Sequence, residues 1–529
     1  MSGHTSIPHL ALVDGSTTLM VHGRPFLMLA GEVHNSTSSS EAWMSRAWDK
    51  AGELGLNTLY VPVTWELVEP EEGVFDFTVV DALIDQARER GGHLVLLWFG
   101  AWKNGGCMYA PEWVKRDTVR FWRAEPIKGQ HKAILTDFHD MPYTTLSAFC
   151  EATRTADARA FASLMAHIRE YDEAQQIVIA VQVENECGLM GAARDHCDAA
   201  DEAFAGQAPS GLLGYLQAHE DTLAADISSA MTAGAASGTW TEVFGSTAEE
   251  LFQTYHTARY VEAVAASGKE AYPLPTMANA WLDKGNRPGR FPTGGPNARV
   301  MEVWRYAAPS VDILCPDIYV PTFCDVCDSY VKLGNPLAIP ETATHAHAAP
   351  RLAWTIAHHH ALSCSPFGFE EMGEPFYSDI GILFGMDTTD PALRTPQDPS
   401  RYAAVANAMS QLFSAADGYG CMDAVIEERG RQQVLNLGSW TCDVTFGEGP
   451  GVVAALTNAT DEAYLLIMNA TVTPRSNDVD LPNVDLLACE DGSFRDGVWV
   501  RDRRLNGDET MFLRFEEPTL LRVKVLCYA

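Results

Sequence analysis

Through the first 370 positions, short apolar runs recur and stop abruptly at polar or aromatic residues. The sharpest is Ile177-Val-Ile-Ala-Val-Gln-Val-Glu-Asn-Glu-Cys-Gly188, where Ile177 to Val181 and Val183 are apolar and mostly β-branched and give way to Gln182, Glu184, Asn185 and Glu186. A short, mostly β-branched apolar run predicts a parallel strand covered on both faces. Three earlier segments share the pattern: Phe26–His34, Asn57–Trp65 and His93–Trp102. Between them apolar residues fall at helical spacing, as in Trp43, Ala47, Trp48, Ala51, Leu54 and in Val80, Leu83, Ile84, Ala87. Phe161, Leu164, Met165 and Ile168 do the same before the run at 177. Strand and helix in alternation predict an α/β fold with a parallel sheet. Polar residues gathered at the C-terminal ends of its strands predict a (β/α)8 TIM barrel, whose active site forms at those ends.

Four more strands complete the expected barrel: Thr276–Ala280, Val311–Tyr319, Pro336–Glu341 and Ser365–Glu370, with Ala403–Phe413 as closing helix. The first strand is expected at Phe26–Ala30, after an N-terminal arm at 1–25. The barrel spans 26–415. It is interrupted by a long aromatic loop, 100–147, which carries Trp102, Tyr109, Trp113, Phe121 and Trp122, and by an alanine-rich helical insertion at about 189–270. Loops of that length inside a barrel are usually functional. From about 420 to 529, valine-rich runs alternate with turn signals such as Asp491-Gly492, which predicts a C-terminal β-sandwich.

Composition narrows the function classes. A net charge of −33 gives a surface that repels nucleic acid and anionic membranes and suits a neutral ligand. No run of 18 apolar residues is present, so no membrane span is expected. The first ten residues lack a basic start and an apolar stretch, so no signal peptide is expected and the location is cytoplasmic. Twelve cysteines then read as reduced thiols. Cys324-Asp-Val-Cys327 has no second ligand pair at metal spacing, and His358-His359-His360 on a helix point in different directions. No metal and no cofactor are expected. The sequence is compatible with a homo-oligomer and does not set its size.

A glutamate at the mouth of a buried strand must be solvated, paired or functional. Glutamates end the fourth and seventh strands, and a barrel brings such ends together. Two carboxylates facing each other at a barrel mouth are the layout of a retaining glycosidase, one serving as acid and then base, the other as nucleophile. The fourth strand offers Glu184 and Glu186. On a regular strand both would share one side.

Gln182-Val-Glu-Asn-Glu186 followed by Gly188 resembles the signature of glycoside hydrolase family 35, the clan A β-galactosidases. Asn57, Tyr60-Val61-Pro62, Glu69-Pro70, Gly73 and Asp76-Phe77 resemble that family's second-strand motif. The likeness extends over about 20–415, and the C-terminal part resembles the β-domain of unknown function carried by a bacterial branch. The resemblance implies a β-galactosidase acting on oligosaccharides or glycosides, with Glu186 as acid/base and Glu341 as nucleophile. It also implies Asn185 on the sugar 2-hydroxyl, Tyr319 beside the nucleophile, and Tyr60 as a sugar contact. Glu32, His34, Trp102, Lys103 and Asn104 are further candidate sugar contacts, each with a place in loop structure as the alternative. Three departures stand out. Phe99-Gly-Ala-Trp-Lys-Asn104 replaces the family's Ala-Glu-Trp, whose glutamate helps hold galactose. Cys187 replaces a tyrosine, and Pro340-Glu341-Thr342 differs around the nucleophile. A β-glucosidase, β-xylosidase or α-L-arabinopyranosidase therefore remains an alternative, as does a catalytically silent carbohydrate-binding protein.

Overall fold

The computed structural model describes residues 6–135, 141–283, 285, 287–374 and 394–529. Six parallel strands form one sheet in sequence order: β4 (Ala30–Glu32), β5 (Thr58–Thr64), β6 (His93–Lys103), β9 (Val178–Asn185), β10 (Thr276–Trp281) and β11 (Ile313–Asp317). β12 (Ala338–Thr342) and β13 (Ser363–Pro366) pair in parallel with each other. Parallel bridges Ile318–Thr342 and Glu32–Phe367 join this pair to both edges of the six-stranded sheet and close an eight-stranded barrel.

The strands are buried because both faces are covered. Every residue of β5 and β9 is buried, as their near-continuous apolar sequences require. Inside the barrel, Ala30, Tyr60, Val95, Leu97, Phe99, Ile179, Met277, Ile313, Ala338 and Leu362 form one cluster. Leu19 and Val21 belong to it too. They come from an N-terminal antiparallel sheet, β1 (His9–Val13), β2 (Ser16–Val21) and β3 (Arg24–Phe26), which is what the expected arm forms. Outside, helices such as Glu41–Leu54, Thr78–Arg90 and Glu151–Asp172 bury their apolar stripes on the sheet. The first two end on left-handed glycines, Gly55 and Gly91, whose N–H groups cap the last turn.

The first barrel strand is later and shorter than its sequence suggests. Arg24–Phe26 pairs with β2, and the Asn57 side chain takes the Leu29 N–H, so the barrel strand starts only at Ala30. The helical stretch after Gly188 contains helices 198–205, 210–218, 225–233, 240–244 and 248–271. The last of these lies along Glu151–Asp172 in the barrel's own helical layer, where Tyr260 bonds Asp157 and Gly268 meets the Phe161 ring. In the long loop, Trp113 packs edge-on against Trp65 and Phe121, and its indole N–H bonds the Glu69 carbonyl, so these rings hold the loop to the barrel. The loop also carries β7 (Ala133–Leu135) and β8 (Met141–Tyr143); residues 136–140 lie outside the described residues.

Beyond the helix Pro399–Ala416, ten strands from Met422–Ile426 to Thr519–Tyr528 form a six-stranded and a four-stranded antiparallel sheet. Trp440, Val444, Val453, Leu465, Ile467, Leu521 and Val523 fill the space between them. The outer face of the larger sheet, with Ala424, Ile426, Val452, Ala454 and Leu466, joins the same core as the barrel helices. Arg351, nearly fully buried on the helix Ala348–His359, binds Glu428 through two parallel hydrogen bonds of 2.6 and 3.0 Å across this junction. Among the described residues no helix is long and apolar enough to cross a membrane, and all twelve cysteines are free.

Candidate active site

The regular alternation of β9 ends at Val183. Glu184 and Glu186 both adopt left-handed backbone, with φ of +63° and +45°. Such a conformation is costly for a non-glycine residue and persists only where its surroundings enforce it. The consequence is a change of direction. Glu184 reaches back to accept the N–H groups of Ala101 and Trp102 at 3.2 and 2.8 Å, and it shares a hydrogen bond with Asp157 of the outer helical layer. Asp157 also takes the Trp98 indole and the Tyr260 hydroxyl. A Cβ on Gly100 would lie 2.7 Å from the Glu184 and Asp157 oxygens, so only glycine leaves room for this carboxyl pair. Burial and the facing Asp157 hold the Glu184 carboxyl well above the usual range, so it keeps its proton.

Asn185 and Glu186 turn into the barrel mouth instead. Asn185 Nδ2 donates to Glu341 Oε1 at 3.2 Å, and Asn185 Oδ1 accepts from Lys103 Nζ at 2.8 Å. Lys103 Nζ also lies 3.6 Å from Glu341 Oε1 and sits over the Phe99 ring. The Tyr319 hydroxyl donates to Glu341 Oε2 at 2.9 Å. Glu341 is thus held from both sides, and Arg351, which could have been its partner, is occupied by Glu428. One carboxyl oxygen each from Glu186, Glu341 and Asp317 lies within 4.8 Å of the others. The Glu186 backbone is fixed by its N–H donating to Asn279 Oδ1 at 2.9 Å and by its carbonyl accepting from Gly105 N.

Glu32 faces the same space from the end of β4. It is fully buried, and neither of its carboxyl oxygens has a hydrogen-bond partner among the described residues. Burial first, and then the nearby Glu341, push its carboxyl well above the usual range. Asp317 behaves alike: burial, Glu341 and Glu186 all raise it. Lys103 stays charged because Glu341, Glu186 and Glu32 outweigh its burial.

The other sequence candidates are dispersed. Tyr60 is inside the barrel with its hydroxyl 2.7 Å from Ser363 Oγ. His34 is on the rim, its ring edge-on to Phe367 and 3.7 Å from Glu371. Asn104 makes the left-handed turn after β6, with its Oδ1 buried and without a hydrogen-bond partner among the described residues. Trp102 is not brought to the carboxylates: its ring lies edge-on to Tyr260 at 4.4 Å, in the layer between sheet and helix. Sequence reasoning missed Asp317 and Asn279. The signal was available, since each sits in a strand run, Ile313–Asp317 and Thr276–Trp281, as a lone polar group among apolar neighbours. The spacing of Glu186, Asp317 and Glu341 would also admit a small cation.

Residues 18–123 match the family model "Glycosyl hydrolases family 35" and residues 400–516 match a "Domain of unknown function (DUF5597)". Residues 18–123 are thus similar to glycosyl hydrolase family 35. The family relatives include a beta-galactosidase of Xanthomonas manihotis, 33% identical over 105 residues, which are 18% of this chain and 17% of that protein. Beta-galactosidase 13 of Arabidopsis thaliana is 32% identical over 124 residues, 22% of this chain and 14% of that one. The chain thus spans less than a fifth of the length of these relatives. Among solved structures, the beta-galactosidase of Bacillus circulans sp. alkalophilus covers 94% of this chain and is itself covered to 99%, at 12% identity and a TM-score of 0.47.

Proposed function

We propose that the chain is a retaining exo-glycosidase that releases terminal β-D-galactose by double displacement. The observation that carries this reading is the approach of Glu186 and Glu341, whose nearest carboxyl oxygens lie within 4.8 Å. Retaining enzymes hold their two carboxyls ~5–5.5 Å apart, whereas inverting ones need ~6.5–9.5 Å to admit a water. Glu341, oriented by Asn185 and Tyr319, attacks the anomeric carbon. Glu186 protonates the departing oxygen, and then takes a proton from the water that frees the sugar. Asn185 and Lys103 stand beside the attacking oxygen, where the 2-hydroxyl of the sugar would lie. Glu32, with two unpartnered oxygens, receives further hydroxyls. The galactose assignment rests on the family relatives.

A second reading keeps this chemistry and changes the sugar. What favours it is the segment Phe99–Asn104 at the end of the third strand, which stands where the family's Ala-Glu-Trp carries a glutamate on galactose and has no acid of its own. A silent binding protein is disfavoured by the presence of both carboxyls. The test has two parts. A panel of nitrophenyl glycosides identifies the sugar. Glu341→Gly should abolish hydrolysis, and added azide should restore turnover of an activated β-glycoside as the α-glycosyl azide. Wild-type enzyme followed by NMR should release the β-anomer first. An α-anomer as first product would mean inversion and would remove Glu341 from its role.

A further inference from the structure

We propose that Asp317 is a third carboxyl of the reaction site, a positioning residue that acts on Glu186 through Asn279 and does so as a neutral acid. The proposal rests on the reading of Glu186 as acid/base. Asp317 ends β11 and is almost fully buried. Its Oδ2 accepts from Asn279 Nδ2 at 2.7 Å, and Asn279 Oδ1 in turn accepts the Glu186 N–H at 2.9 Å. This chain of two hydrogen bonds, carried by neighbouring strands, ties the left-handed backbone of Glu186 to the barrel wall. A residue at φ +45° relaxes unless something holds it, and a displacement of ~1 Å in a reacting group costs ~10²-fold in rate.

The second Asp317 oxygen, Oδ1, is buried without a partner among the described residues. One Asp317 oxygen lies within 4.8 Å of both Glu186 and Glu341. Three carboxylates in so small a space cannot all ionise. The groups that face Asp317 are Glu341, Glu186 and Glu32, each of which disfavours a further negative charge, and Lys103, which opposes them. Cys315, Tyr319 and Tyr330 are also near it, and all three are held neutral by burial. The net effect, with burial the largest cause, keeps the proton on Asp317. As a neutral acid it accepts from Asn279 through one oxygen and has an O–H to offer a sugar hydroxyl or a neighbouring carboxylate.

The test compares Asp317→Asn with Asp317→Ala. Asparagine keeps both an acceptor and a donor, so kcat/KM should stay within ~3-fold and the pH profile should keep both limbs. Alanine releases Asn279, so loss should be ~10–100-fold on alkyl glycosides and clearly smaller on nitrophenyl glycosides, because a displaced Glu186 fails first at protonating poor leaving groups. Equal loss on both substrate types would reduce Asp317 to a structural residue. A basic limb moved down by more than one pH unit in D317N would mean that Asp317 works as an anion. A further measurement needs no substrate. If Asp317 is neutral when folded and ionised when unfolded, wild type loses a factor of ~10 in its folding equilibrium per pH unit relative to D317N. The melting temperature of D317N should then gain steadily on wild type from pH 5 to 7.5. A constant difference would overturn the neutral state even if the enzyme proved to act on no sugar in the panel.

Discussion

Replacing Glu186 and Glu184 in turn by glutamine separates the two glutamates of the fourth strand, because their surroundings make opposite demands. Glu186→Gln is nearly isosteric and removes one of three carboxyls that crowd within 4.8 Å, so the fold should not suffer and the melting temperature should hold or rise. What is lost is the proton for the departing oxygen. General acid catalysis contributes ~10²–10⁴-fold, or ~3–5 kcal/mol of barrier at 1.36 kcal/mol per decade. That loss should appear in full in kcat/KM for methyl or disaccharide substrates. For a nitrophenyl substrate, whose leaving group needs little protonation, the loss in the first step should stay under ~10-fold. Glu184→Gln does the reverse. Its amide can still donate to Asp157, yet it turns an N–H₂ toward the Ala101 N–H, 3.2 Å from Oε1 in the native protein. An unmet buried donor costs ~1–3 kcal/mol, which should lower the melting temperature and change kcat/KM by the same factor for both leaving groups. The assay is kcat/KM on a leaving-group series, with melting curves in parallel. Leaving-group dependence in Glu184→Gln and none in Glu186→Gln would refute the reasoning.

Three further outcomes are expected. Asp172, buried and raised to about 6 by burial, binds the Val178 N–H with one oxygen and has only Arg88, 4.0 Å away, facing the other; the stability it contributes is fully present below ~4 and lost as pH rises through about 6, by up to ~3 kcal/mol. Asp172→Asn should therefore melt above wild type at pH 7.5 with the gap closing toward pH 4, and a gap independent of pH would refute this. A stop at Asp423 strips the sheet face that shares a core with the barrel helices and leaves Arg351 without Glu428, so the truncated protein should aggregate on expression; a soluble, fully active product would show the junction to be dispensable. Activity should survive EDTA, since the proposed chemistry uses no metal, and loss reversed by one specific cation would place an ion among Glu186, Asp317 and Glu341.

The sequence made the barrel readable because its signal is repeated eight times: an apolar run, a polar stop, an amphipathic helix. Individual boundaries were less readable. Phe26–Ala30 looks like one strand, but a hairpin with β2 and a side-chain bond from Asn57 divide it, and both depend on contacts distant in sequence. At the site, Glu341, Asn185 and Tyr319 could be placed at the mouth because each stands at or just after a strand end. Glu184 could not be placed by alternation. Its direction depends on a left-handed φ, which Gly100 and Asp157 make affordable from two other elements. For Trp102 the sequence leaves a sugar contact and a place in loop structure equally open, because loop and strand end look alike, and the structure seats its ring on Tyr260, 158 positions further on. Asp317 carried no motif at all, and its meaning emerges only from its neighbours in space.

The charge balance at the mouth connects these observations. Among the described residues, Glu32, Asp317, Glu186 and Glu341 are four acids facing one buried cation, Lys103. At 4.8 Å, two unit charges in a medium of effective dielectric ~20 repel by roughly 3–4 kcal/mol. A fully ionised mouth would therefore carry several such penalties, and one lysine cannot offset them. Protons must reside on some of the acids, and the geometry decides which. Glu341 has three stabilising neighbours, with Tyr319 and Asn185 donating and Lys103 at 3.6 Å. Among the described residues Glu32 has no donor and Asp317 has only Asn279. The protons accordingly favour Glu32 and Asp317, Glu186 holds the one it gives up in the proposed reaction, and Glu341 is the carboxyl with a donor on each oxygen and the lysine beside it. The lysine at position 103 then has a physical reason. With Glu32 and Asp317 already present, a further acid at position 103 would crowd the mouth still more, while an ammonium there donates to Asn185 and lies 3.6 Å from Glu341.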